Sequence, residues 1–93
     1  MARARKVDAN QGAIVAALRK IGAKVRSTAG VGNDFPDLCV GYRGRNVLLE
    51  VKLPRHEPTQ GQRVFLNSWP GEAHVVHSEE EAIAALIGKE AMR

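Results

Sequence analysis

The first chemical signal comes from three residues. Asp37 follows Pro36, and thirteen positions on, Glu50-Val51-Lys52 sets a carboxylate and an ammonium two residues apart. Side chains alternate along an extended chain, so in a strand over Asn46–Lys52, Glu50 and Lys52 share one face while Val51 takes the other. Leu38–Tyr42 reads as a neighbouring strand joined through Arg43-Gly44-Arg45, a hairpin that brings Asp37 beside Glu50. Two converging carboxylates and the Val51 carbonyl form a hard-oxygen site suited to Mg2+, with Mn2+ able to substitute. Such a site lowers the pKa of a bound water and neutralises phosphate oxygens. With Lys52 placed to orient or deprotonate that water, the set meets the needs of phosphodiester hydrolysis.

The rest of the chain supplies elements to hold these groups. Apolar Val7, Ile14, Leu18 and Ile21 recur at helical spacing, which predicts a helix over 8–21 with Gly22 at its end. Gln11 falls in the same apolar stripe, a polar side chain facing inward. A short strand, Lys24–Ser27, precedes a Gly-rich loop to Pro36. Thr59-x-x-Gln62 has the form of a capping box and predicts a second helix to about Trp69. Ala73–His77 reads as a last strand. Ser78-x-x-Glu81 repeats the box before Ala82, Ile83, Leu86 and Ile87, with Gly88 at the stop. The predicted order is helix, three strands, helix, strand, helix: an α/β fold in one domain over 1–93, with a basic N-terminal tail of about seven residues.

Composition narrows the function classes. The chain is 44% apolar and 26% charged, an ordinary globular balance with an aliphatic core, since only four residues are aromatic. A single cysteine, Cys39, forms no intrachain disulfide or zinc ligand pair, which with no apolar run long enough to span a bilayer predicts a cytoplasmic protein. The net charge of +4 is uneven. Met1–Arg26 holds seven basic residues against Asp8, whereas Ser78–Arg93 holds four Glu against two basic residues. A polyanion is the natural partner of the basic end.

Pro36-Asp37 and Glu50-Val51-Lys52, in that order across a hairpin, resemble the motif of the PD-(D/E)XK nuclease superfamily. Gln11 lies eleven residues before Gly22, Arg26-Ser27 follow on a strand, and Gly30 and Gly32 sit in the loop. That arrangement is similar to the archaeal Holliday junction resolvases and the small phage proteins of the VRR-NUC group. Thr59-x-x-Gln62-x-x-Phe65 looks like the Gln-bearing helix of the latter. The resemblance implies a restriction-endonuclease-like core with a central mixed sheet flanked by helices. It also implies a Mg2+-dependent DNA endonuclease selective for branched or four-way-junction DNA, working as a homodimer, in a host cytoplasm if phage-encoded. Asp37, Glu50, Lys52 and Gln11 are then catalytic, with Asp37, Glu50 and Val51 on the metal. Ser27, Gln62 and Asp8 are accessory candidates, and Arg26, Arg43, Arg45, Arg3, Arg5 and Lys6 are DNA-contact candidates. The departure is Gln11, where many resolvases carry Glu; an amide is the weaker ligand.

Each residue also has an ordinary reading. Asp37 suits a turn after proline, Gln62 a cap, Asp8 an N-cap, and Arg43 and Arg45 a solvated hairpin tip. Trp69 reads as a core or dimer-contact residue, and the three histidines lack zinc-site spacing. The functional alternative is a DNA-binding module that keeps the fold without a working metal site.

Overall fold

The computed structural model describes residues 7–88. Its elements are α1 (Gln11–Lys20), β1 (Lys24–Ser27), β2 (Leu38–Tyr42), β3 (Arg45–Val51), α2 (Gln60–Ser68), β4 (Glu72–Val76) and α3 (Glu79–Ile87). One sheet runs in the order β1-β2-β3-β4. The first three strands are antiparallel and β4 runs parallel to β3. A parallel pair needs a crossover, and the segment containing α2 provides it. Among the described residues no helix is long and apolar enough to cross a membrane.

Cross-strand partners in a sheet point to the same face, so the register sorts the strands into two surfaces. Val25, Leu38, Val40, Val47, Leu49, Val51 and Val76 join Ile14 and Leu18 of α1 and Ala82 and Leu86 of α3 in one aliphatic core. Lys24, Arg26, Cys39, Leu48 and Glu50 point the other way. The alternation that buries Val47, Leu49 and Val51 therefore fixes where Glu50 and Lys52 emerge.

Local chemistry sets the boundaries. Gly22, at φ 98°, ends α1 in a Schellman turn, with Ala23 N–H bonded to Leu18 O at 3.1 Å and Gly22 N–H to Arg19 O at 3.0 Å. Arg43 and Gly44 both have positive φ, the two-residue turn whose twist matches a hairpin. α2 has the full capping box: Gln62 N–H donates to the Thr59 hydroxyl at 3.2 Å, and the Gln62 side chain accepts from Thr59 N–H at 2.9 Å. Phe65 and Trp69 stack near the end of this helix, and Phe35 meets both edge-on, which ties α2 to the loop before Asp37.

Four expectations need correction. α1 begins at Gln11, not Asp8, and Val7 is 53% exposed instead of lying in the apolar stripe. Asp8 contributes a main-chain turn, its carbonyl accepting from Gln11 N–H at 3.0 Å, while Asn10 holds the N-cap position. β3 starts and ends one residue earlier than expected, and so does β4. Ser78 caps Glu81 N–H, but the Glu81 carboxylate turns to His77 N–H at 2.9 Å, so this end is not a reciprocal box.

Candidate active site

The C-terminal end of β3 gathers the charged residues. Glu50 is 2% exposed, and its Oε2 lies 3.6 Å from Lys52 Nζ. A carboxylate this buried is stable only with compensation, and the adjacent ammonium supplies part of it. Leu38 pairs with Leu49, which sets Asp37 opposite Glu50 one step further along the ladder. Asp37 Oδ2 accepts the Val51 N–H at 2.8 Å, a side chain replacing the strand partner that β2 no longer provides. In a strand, the N–H and C=O of one residue point to the same neighbour, so the Val51 carbonyl faces the Asp37 side. The Lys52 N–H turns the other way, to Val76 O at 3.0 Å.

The loop before Asp37 is closed by its own ends. Thr28 N–H donates to Asp37 O at 2.8 Å and the Thr28 hydroxyl to Pro36 O at 2.6 Å. These bonds hold the Asp37 backbone against β1. Asn33 and Asp34 carry φ of 54° and 65°, a left-handed pair in this loop that bends the chain back toward Pro36. Ser27 is exposed, and its hydroxyl accepts from Ala29 N–H at 3.3 Å, while Arg26 projects from the exposed edge strand opposite Cys39. A groove along this edge is lined by Arg19, Gly22, Ala23, Lys24, Val25 and Arg26 and lies apart from the carboxylates.

Sequence reasoning missed Asn10. Its amide donates to Lys52 O and to His77 O, both at 3.0 Å, and so pins the start of α1 to the ends of β3 and β4. Asn immediately before the helical stripe was the available signal, overlooked because Asp8 offered a capping residue. Gln11 is 8% exposed and buried beside Ile14 and Leu18, as its spacing predicts. Asn10, one position earlier, ties the start of α1 to the Lys52 carbonyl after β3. Gln62 is equally buried and its side chain is engaged in the capping box.

The hairpin arginines are not brought to this end. Arg45 grips Glu72 through two bonds, Nε–Oε2 at 2.9 Å and Nη2–Oε1 at 2.5 Å, and donates to the Leu86 and Ala85 carbonyls at the end of α3. Its guanidinium holds the Glu72 carboxyl below the usual range by hydrogen bond and charge. Glu50 lies five positions along the strand from Arg45, about 17 Å at the usual rise. Arg43 lies over the Tyr42 ring at 5.2 Å, at the same remote end. Arg3, Arg5 and Lys6 fall outside the described residues. Trp69 is 39% exposed rather than fully packed.

Among the described residues no group of three or more His, Cys, Asp and Glu side chains is arranged to hold a metal. A cation here would have to combine Asp37 and Glu50 with main-chain or amide oxygen. That set of hard oxygen donors fits a hard divalent ion.

No family model matches the chain, and no curated protein matches it. A solved structure described as a VRR_NUC domain is similar to it, with 25% identity over 78% of this chain and 85% of that one, at a TM-score of 0.60. The mixed four-stranded sheet with three helices is thus a restriction-endonuclease-like α/β fold of the VRR_NUC kind.

Proposed function

We propose that this chain is a nuclease of the VRR-NUC type, a metal-dependent endonuclease that hydrolyses phosphodiester bonds in DNA and prefers branched or four-way-junction substrates. The observation that carries the reading is the pairing of Asp37 with the Glu50-Val51-Lys52 strand end inside a fold similar to a VRR_NUC domain.

Asp37, Glu50 and the Val51 carbonyl would hold Mg2+ or Mn2+, and the bound ion would supply Lewis acidity toward phosphate and a more acidic water. The protein does the rest. Val51 N–H orients the Asp37 carboxylate, and burial keeps Glu50 in one place. Lys52, tethered electrostatically to Glu50, directs its ammonium to the phosphate or to the attacking water. Arg26, on the same sheet face at the β1 edge, would take a flanking phosphate, with Lys24 two residues along. One domain holds one such centre, and symmetric cleavage of two strands needs two, so the active species is a homodimer.

The test is magnesium-dependent cleavage of linear, forked and four-way DNA by purified protein. Cutting of the branched substrates that stops with chelator is expected. Equal rates on all three would remove the branch preference, and binding of DNA without any cleavage would favour the non-catalytic module.

A further inference from the structure

His77 occupies an unusual position. Its ring Nδ1 lies 2.9 Å from Glu81 Oε1 and its Nε2 2.9 Å from the His56 carbonyl. Both partners are acceptors, and a neutral imidazole has one N–H, so satisfying both contacts requires the doubly protonated ring. The bond to Glu81 raises the His77 pKa most; partial burial opposes it, and the His56 carbonyl and the charges of Glu81 and Glu57 reinforce it. The residue's main chain is equally engaged: His77 N–H donates to Glu81 at 2.9 Å and His77 O accepts from Asn10. The charged or titratable groups around the ring are Glu81 on α3, with His56 and Glu57 in the connection from β3 to α2. From α1 the contact is the neutral Asn10 amide, and from β3 it is the Lys52 peptide.

We propose that Asn10 and His77 are positioning residues, forming a clasp in which Asn10 fixes the Lys52 peptide and the doubly protonated His77 ring ties down the 53–57 connection that follows it. This rests on the nuclease reading for the role of Lys52. Asn10 is held through its donors alone, since its Oδ1 is buried and accepts no hydrogen bond. The amide therefore works as a two-headed donor between the carbonyls that follow β3 and β4. When His77 loses one proton, the remaining N–H stays with the charged Glu81 and the His56 carbonyl is left facing a lone pair. The connection from Lys52 to α2 then loses its bond to the His77 ring, while Lys52 N–H keeps its bond to Val76 O.

Two measurements test the clasp. In metal-free, DNA-free protein, the His77 ring followed by NMR titrates above its ordinary value of 6.5. The midpoint moves down in Glu81→Gln, which keeps an acceptor but removes the charge. In magnesium-dependent cleavage of a synthetic four-way junction, the rate at saturating DNA falls as pH rises through the same midpoint. Glu81→Gln shifts that alkaline limb down, with KM unchanged. Asn10→Ala lowers the saturated rate at all pH by about tenfold to a hundredfold, the scale of a small displacement of a catalytic group, again with KM unchanged. A midpoint at or below 6.5, or an alkaline limb that ignores Glu81→Gln, overturns the proposal. If the wild-type chain cuts no DNA, the nuclease reading fails separately, and the His77 ring is judged by NMR: two hydrogen-bonded ring N–H protons below the midpoint uphold its double contact, and a single one, or a midpoint at or below 6.5, removes it.

Discussion

The two ends of β3 are built from similar materials and put them to different use. At the hairpin end, Arg45 meets Glu72 in a two-point pair and spends its other donors on α3 carbonyls, so charge and backbone are balanced. At the far end, Glu50 is almost fully buried next to Lys52, and Asp37, opposite it across the ladder, turns its carboxylate to the Val51 N–H. At one end an acid and a base lock the sheet to a helix; at the other, two acids and a base gather where a strand stops, the arrangement on which the proposed metal site rests. Residue type alone does not tell the two ends apart, since both hold an acid and a base.

The sharpest way to break that contrast is to neutralise each end in turn. Asp37→Asn keeps an acceptor for Val51 N–H while removing charge, and it is expected to lower DNA cleavage by about 10²–10³-fold or more without unfolding the protein. Arg45→Ala should do the reverse. It leaves cleavage intact but costs about 1–2 kcal/mol, mostly through the exposed α3 carbonyls because the ion pair itself is solvent-screened, with a Tm loss of roughly 4–8 °C per kcal/mol. Full cleavage by Asp37→Asn, or lost cleavage by a still-folded Arg45→Ala, would collapse the distinction.

Acid sharpens the same comparison. The Glu72 carboxyl is held below 4.5 by Arg45, so its contribution is present above that value and is lost as pH falls through the lowered one. The stability gap between wild type and Arg45→Ala, read from melts, should be largest near neutrality and shrink in strong acid. A gap that does not depend on pH would mean that the Glu72 pair contributes nothing.

The smallest expected effects concern Gln11 and the arginines. If Gln11 reaches a metal-bound water, Gln11→Glu shifts the magnesium dependence of cleavage to lower concentration; if it only fills the core, the buried charge destabilises the fold equally with and without magnesium. Arg26→Ala should reduce the salt slope of DNA binding by about one, and Arg43→Ala, at the balanced end, should leave it unchanged.

Much of this was legible in sequence because the signals were strong and local. The aliphatic run around Val47, the Thr59 capping box and Gly22 each specify one element, and the structure follows them. The hairpin that sets Asp37 opposite Glu50 was legible too, although Arg45, expected in the turn, pairs with Tyr42 and leaves Arg43-Gly44 as the turn. The fate of Arg45 was not: its partners, Glu72 and the end of α3, lie 27 and 41 residues away. Asn10 and His77 were hidden for the same reason, as their bonds to Lys52, His56 and each other exist only once four elements have assembled. Asp8 misled because capping residues are recognised by type, and the backbone chose Asn10 for that place.

The most direct test of the central claim is a magnesium titration of junction cleavage by wild type and Glu50→Gln, a variant of nearly unchanged shape that removes the buried charge. Cleavage by wild type that requires magnesium, and a folded Glu50→Gln that still binds the junction but cuts it at least about 10²-fold more slowly, is the predicted result. Cleavage by Glu50→Gln at the wild-type rate and with the same magnesium dependence would contradict it.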